Sequence, residues 1–360
     1  MADSSERARV AIVGGGPIGL ELAAALAGRG ISFVQFEAEQ IGHTMSWWAP
    51  QTRWFSSNER IAIGDRPLVT IDQSKATREE YLTYLRGFVQ QHNLRVRTYE
   101  PVTRIRRDGE GFVLTSSHVG GERTTRCDAV VLAIGGTDFP NRLDIPGENL
   151  PHVDGYLREP HNYFGQKVLV VGGRNSAVEA ALRCHHAGAH VALSYRHPQL
   201  PQKSIKYWLL PEIEGLIKAN RIEGHFDTKP VQITPTHVTL ENIRTGDTYE
   251  VAVDRVLSLI GYGQDKTLFR SAGVELIGDG EMPKFDPESM ETNVPGLYVA
   301  GTAIAGTQSS KYKIFLENCH VHIPRIVAHL TGEAPPPEAL EGLGESMRHL
   351  AELVDAQPES

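Results

Sequence analysis

The stretch Val10-Ala-Ile-Val-Gly14-Gly-Gly16-Pro-Ile-Gly19 decides how this chain is read. Its apolar start reads as a buried strand and its glycines as a turn. The Ala/Leu-rich run from Pro17 to Ala27 reads as a helix that stops at Gly30, and a second strand then ends in Glu37. Gly14 permits the tight turn, Gly16 lets the backbone approach a pyrophosphate, and Gly19 lets the helix sit close to the strand. The amide-rich start of the helix that opens at Pro17, with the Ile18 N–H in its first turn, faces the negative charge. Glu37 can accept hydrogen bonds from both ribose hydroxyls. Strand, loop, helix and terminal acid in this order point to a dinucleotide with a free ribose, FAD.

The pattern recurs at Lys167-Val-Leu-Val-Val-Gly172-Gly173-Arg174-Asn175-Ser176-Ala177, with a helix through Ala187, a stop at Gly188 and a strand from His190 to Arg196. The middle glycine is replaced by Arg174, whose guanidinium can meet a pyrophosphate oxygen. Here the strand ends in Tyr195-Arg196-His197, so no carboxylate repels a 2′-phosphate. Arg196 supplies a cation, with Lys203 and Lys206 nearby in sequence. A charge-assisted contact contributes about 1.5–3 kcal/mol, enough for about ten- to hundredfold preference. The second loop therefore points to NADPH, and the pair of loops to redox chemistry.

Two apolar strands ended by glycine flank the second unit: Ala129 to Ile134 before Gly135, and Val256 to Ile260 before Gly261. The expected fold is α/β, with two Rossmann-like dinucleotide-binding domains and the NADPH domain inserted in the FAD domain. The expected FAD domain is 1–155 plus 262–332, and the NADPH domain is 156–261. Residues 333–360 form a linker opening on Pro335-Pro336-Pro337, then an amphipathic helix with Leu340, Leu343, Met347, Leu350 and Val354 on one face. Segments 104–116 and 231–253 alternate as antiparallel meanders do.

Later segments complete the expected FAD site. Val102 opens a strand whose backbone can meet adenine, and Ile134 and Gly135 end another. The segment Thr292 to Ala300 leads to Gly301 and Thr302, where flavin phosphate or ribityl can approach. A helix beginning near Lys313 and Ile314 would aim its positive end at the flavin, with Pro324 kinking it. The loop from His43 to Ser57 holds three of the four tryptophans. It reads either as a hydrophobic cluster closing the domain or as rings stacked on flavin or substrate.

At 360 residues, 40% hydrophobic and 22% charged, the chain has the composition of a soluble globular protein with two cores. A net charge of −8 argues against nucleic acid or an anionic membrane as main partner. Met1 to Arg9 shows no apolar signal core, and no run reaches the roughly 20 residues of a membrane span. Cys127, Cys184 and Cys319 lie too far apart for a local dithiol and fit a reducing cytoplasm. The 15 histidines show no metal-ligand spacing; no metal is expected.

Taken together, the chain resembles the bacillithiol disulfide (bacilliredoxin) reductases, small flavoproteins with the thioredoxin-reductase fold, over residues 9–330. The resemblance rests on Gly14-Gly-Gly-Pro-Ile-Gly19, Phe55-Ser-Ser-Asn-Glu-Arg-Ile-Ala-Ile-Gly64-Asp65 and Gly172-Gly-Arg-Asn-Ser-Ala-Val-Glu-Ala-Ala181. Ser204 to Pro211, Ile260-Gly-Tyr262 and Ile314-Phe-Leu-Glu317-Asn318 complete it. It implies FAD in the first domain, NADPH in the second, a small-molecule or protein disulfide as acceptor, and often a homo-oligomer. Two departures stand out. The family commonly places a cysteine directly after the first Gly-Pro, where this chain has Ile18, which cannot be a nucleophile. Thr307 to Lys313 is also more basic than the family pattern.

With no cysteine pair, the catalytic residues beyond the flavin itself are not assigned. A ferredoxin or flavodoxin reductase of the same fold stays open, as do a flavin-dependent monooxygenase and a non-enzymatic FAD/NADPH sensor.

Overall fold

The computed structural model describes residues 6–307 and 314–341. They divide into two units: one runs up to Ser46, through Gln51–Asp138 and from Gly263 onward, and the other holds Trp47–Pro50 and Phe139–Tyr262. The expected first boundary at 155/156 therefore moves to 138/139. The reason is sheet pairing, since Val153–Asp154 is an edge strand of the second unit's sheet, on Val256 and Leu257. Too short to announce itself in sequence, it draws the preceding Pro/Asp-rich stretch with it.

The first unit is built on a seven-stranded sheet, six of whose strands run in the order Val96–Arg97, Phe33–Phe36, Glu6–Val13, Gly121–Leu132, Gly111–His118, Val102–Asp108, with Leu297–Val299 as the seventh. The twelve-residue strand Gly121–Leu132 serves two partners. Its first half pairs antiparallel with Gly111–His118, and its end pairs in parallel with Leu297–Val299. Glu6–Val13 lies parallel beside both halves. Val10, Ala11, Ile12, Val130, Val131, Leu132, Leu297 and Val299 are all buried. That is why the central strands read as unbroken apolar runs instead of alternating ones.

The helix Pro17–Gly28 buries Ile18, Gly19, Leu20, Leu22, Ala23 and Leu26. A second helix, Arg78–Gln91, opens on a capping box between Thr77 and Glu80 and buries Tyr81, Tyr84, Leu85 and Phe88. The buried Tyr81 and Tyr84 hydroxyls donate to the carbonyls of Ile61 (2.8 Å) and Arg66 (2.6 Å), tying segment 58–66 to this helix.

The second unit has five parallel strands in the order Glu223–Phe226, His190–Tyr195, Lys167–Val171, Arg255–Ser258, Val153–Asp154. The helix Asn175–His186 buries Ala177, Val178, Ala180, Ala181, Leu182 and Cys184. A separate antiparallel sheet, Thr228–Ile233, His237–Asn242 and Thr248–Ala252, forms the expected meander.

Two expectations near the end of the chain are corrected. Ile314 and Phe315 are not helical; a 3-10 turn, Leu316–Asn318, follows, and the helix is His322–Thr331. Pro324 falls in that helix's first turn, where a missing N–H breaks no helical bond, so it does not kink the helix. Lys311 and Lys313 lie outside the described residues. So do Leu343, Met347, Leu350 and Val354 of the expected terminal helix; Leu340 ends a short turn of helix, Pro337–Leu340.

Candidate functional site

In the first unit, three backbone segments far apart in sequence meet, and their glycines show how closely. A Cβ on Gly14, whose φ is +122°, would lie 2.2 Å from the Ala133 carbonyl oxygen. One on Gly136 would lie 2.8 Å from the Thr302 carbonyl, and one on Gly301 would touch Ile18 at 3.4 Å. Segments 14–19, 133–136 and 301–302 thus form one nest of strand ends. Gly19 allows the helix to press on the loop, since its Cβ would sit 2.3 Å from the Gly14 carbonyl.

Gly16 is different: a Cβ there would meet nothing within 4 Å, and the same holds for Gly135. Gly16 is the N-cap of the Pro17–Gly28 helix, where unpaired N–H groups and the helix dipole favour phosphate. The residues present fit a dinucleotide pyrophosphate.

Glu37 is already held. Its carboxylate accepts from the Gly15 N–H at 2.6 Å and the Glu39 N–H at 3.0 Å, leaving lone pairs for ribose hydroxyls. The Glu37 carbonyl accepts from the Glu100 N–H at 3.0 Å, which brings the start of the Val102 strand to the ribose end. Thr302, partly buried, is the second residue of the 3-10 turn Gly301–Ala305. Ile314 packs instead in a small apolar cluster with Met282, Ala305 and Ile277.

Sequence reasoning missed several supports of this nest. Gly15 has no room for a side chain, with Glu37 Cβ 2.9 Å from where its Cβ would be. Gln35, fully buried, donates to the Gly14 carbonyl at 2.9 Å; a lone amide inside Phe33–Phe36 was the available signal. His322 accepts the Gly301 N–H on Nδ1 at 3.1 Å. Burial, with Arg325 adding to it, pushes this imidazole down to about 3, so it stays neutral and keeps Nδ1 free to accept.

Glu21, on the same helix as the first loop, accepts from the Gly64 N–H and lies 2.8 Å from His320 Nδ1. The Arg60 carbonyl lies 3.1 Å from His320 Nε2. Burial works against the charged ring, but Glu21 and that carbonyl outweigh it, and His320 is raised above its ordinary value. The resulting stability is complete below the unfolded-state value of about 6.5 and is lost as pH rises through the raised folded value. The contribution of this pair to the melting temperature should therefore fall as pH rises above about 6, and Glu21→Gln should flatten that slope. An equal slope in the variant would refute the pairing.

In the second unit, Gly172 has φ +134° and abuts the Leu259 carbonyl, 2.4 Å from its would-be Cβ. Gly173 lies under the Tyr195 ring, which a Cβ would meet at 2.3 Å. Arg174 caps the helix Asn175–His186 and is exposed, as is Arg196. Asn175 Oδ1 accepts from the Lys206 N–H at 2.9 Å, which secures segment 203–206 beside the loop. Ser176 bonds to the Tyr262 hydroxyl, a phenol that burial pushes up to about 12. Gly261 turns with φ +104°.

The tryptophans separate. Trp47 packs on Tyr156 (4.6 Å between centroids) and Tyr262 (5.3 Å) within the second unit, whereas Trp54 packs on Tyr81 within the first.

The profile of the family described as pyridine nucleotide-disulphide oxidoreductase matches residues 11–301. The chain belongs to that family. Among its relatives is the bacilliredoxin reductase Bdr of Bacillus subtilis (strain 168), 34% identical over 89% of this chain and 96% of the relative. The solved bacillithiol disulfide reductase Bdr (YpdA) of Bacillus cereus superposes with a TM-score of 0.86 at 32% identity, covering 91% of this chain and 99% of that one. A ferredoxin–NADP reductase of Ignicoccus hospitalis (strain KIN4/I / DSM 18386 / JCM 14125) is 26% identical over 81% of this chain and 88% of its own length. The pyridine nucleotide-disulphide oxidoreductase assignment makes this chain an FAD-dependent, NADPH-using flavin oxidoreductase of thioredoxin-reductase-like fold. No described helix is long and apolar enough to cross a membrane.

Proposed function

We propose that the chain reduces a disulfide of the bacillithiol type, low-molecular-weight or borne on a protein, with electrons from NADPH. The observation that carries this reading is the pair of glycine nests, one closed by Glu37 and the other covered by the Tyr195 ring, with Arg196 exposed next in sequence. Bound FAD would supply hydride exchange between the nicotinamide and the acceptor. The first unit would hold it through the Gly14–Gly19 loop, Glu37, the Val102 backbone, Ile134–Gly135 and Gly301–Thr302, with Ile314 farther along the same unit. The second unit would hold NADPH through Gly172–Ser176, Tyr195, Arg196 and Gly261, with Arg174 and Arg196 reaching out as exposed cations. A cytoplasmic location and a homo-oligomer belong to the same reading.

The cysteines narrow the chemistry. All three in the chain are free and buried. Burial pushes Cys127 and Cys184 up to about 12 and raises Cys319 further, so none offers a thiolate at neutral pH. Ile18, 5% exposed against Gly301, supplies none either. The acceptor's two sulfurs would then be released as thiols without a protein–substrate mixed disulfide. Brief treatment of the folded enzyme with an alkylating reagent should leave its NADPH oxidation unchanged, within about twofold. Stoichiometric inactivation would contradict this.

The deciding experiment is anaerobic: NADPH bleaching of the flavin, then release of thiol from bacillithiol disulfide and related disulfides. Bleaching without thiol release from any of them would reject the acceptor. Rapid reduction of a ferredoxin in the same assay would favour the one-electron alternative, to which the lack of a reactive dithiol equally conforms.

A further inference from the structure

Gln264 and Lys266, 3% and 4% exposed, are buried in the first unit just after the chain re-enters it at Gly263. Among the described residues Lys266 forms no ion pair, and its amine donates to Gln264 Oε1. A lysine can only donate, so this contact fixes which end of the Gln264 amide is oxygen. The Nε2 end then donates to two carbonyls, Gly135 at 2.7 Å and Ala303 at 3.0 Å. Every strong hydrogen-bonding direction of the amide but one oxygen lone pair is used.

Those two carbonyls follow the ends of neighbouring strands in one sheet, Gly121–Leu132 and Leu297–Val299. Gly135 lies within one of the three segments that make the first glycine nest, 133–136, and Ala303 directly follows another, 301–302. On the same side, the Asp138 N–H donates to the Gly263 carbonyl at 2.8 Å and the Asp265 N–H to Asp138 Oδ2 at 2.7 Å. Burial pulls the Lys266 amine down to about 8, against the pull of Glu281, Asp138 and Asp265 in the other direction. An apolar pair would fill this space without that cost, which leaves the orientation of the amide as what the lysine contributes.

We propose that Gln264 and Lys266 are positioning residues for the flavin site, a brace that clamps the Gly135 and Ala303 carbonyls and so holds two of the segments bordering FAD. This rests on FAD occupying the first unit as proposed above. Lys266 locks the amide, and the amide locks the backbone.

The test is titration of FAD into the apoprotein, followed by flavin fluorescence, with apoprotein melting measured in parallel. Three proteins are compared: wild type, the double variant Gln264→Leu/Lys266→Met, and Gln264→Glu. The double variant keeps the volume apolar and removes the buried amine but leaves two carbonyls without their donor, so its apoprotein should still melt cooperatively within a few degrees of wild type while the FAD Kd rises about tenfold, the equivalent of two ordinary hydrogen bonds. Gln264→Glu can still pair with Lys266 but presents oxygen to both carbonyls, and should weaken FAD at least as much. Wild-type FAD affinity in both folded variants would overturn the brace alone. A wild-type apoprotein that takes up no FAD would instead overturn the reading of the first unit, and the brace's role with it.

Discussion

Gly16→Val should leave the fold intact and abolish flavin retention. The backbone at Gly16 is extended, with φ −77° and ψ 177°, a conformation any residue adopts. A Cβ there meets no atom within 4 Å. The apoprotein should therefore melt at the wild-type temperature. The branched side chain would nevertheless stand where a pyrophosphate must touch the loop, so the FAD Kd should rise by about 100-fold or more, the scale of losing two or three charge-assisted contacts. Gly14→Ala makes the control. At φ +122° and 2.2 Å from the Ala133 carbonyl, it should damage the fold itself. A Gly16→Val protein that purifies with a full complement of flavin would sink the assignment of the first loop.

Arg196→Glu should reverse coenzyme choice. Arg196 stands exposed at the end of His190–Tyr195, its Nε 3.3 Å from His197 Nε2, free to meet a 2′-phosphate. Removing one charge-assisted bond lowers NADPH kcat/KM about ten- to hundredfold, and adding a like charge should bring the loss to about 100-fold or beyond. NADH, lacking that phosphate, should change by no more than about threefold. Because the site is exposed, raising salt should narrow the wild-type preference for NADPH. Equal losses for both coenzymes would mean Arg196 supports the loop and does not read the phosphate.

Much of this was legible from local pattern. Val10–Gly19 and Lys167–Ala177 each carry their own strand, turn and helix signals within a few residues, and the structure places these elements almost residue for residue. Glu37 and Arg196 each directly follow a strand, Phe33–Phe36 and His190–Tyr195, as the sequence pattern placed them. The boundary at 138/139, the late start of the His322–Thr331 helix and the separation of Trp47 from Trp54 were not legible. Each depends on a partner distant in sequence: a two-residue edge strand, a proline taken into a first turn, and two different aromatic clusters.

The order of residues alone determined that two strand–glycine turn–helix units exist, one followed by an acid at Glu37 and the other by a base at Arg196, because backbone sterics act over a single strand–turn–helix. Only the tertiary structure decided that segments 14–19, 133–136 and 301–302 form one nest and that Gln35, His322, Gln264 and Lys266 support it. It also decided that the three thiols are sealed in the interior. Close packing and burial bring together residues from opposite ends of the chain, and no local periodicity encodes such meetings.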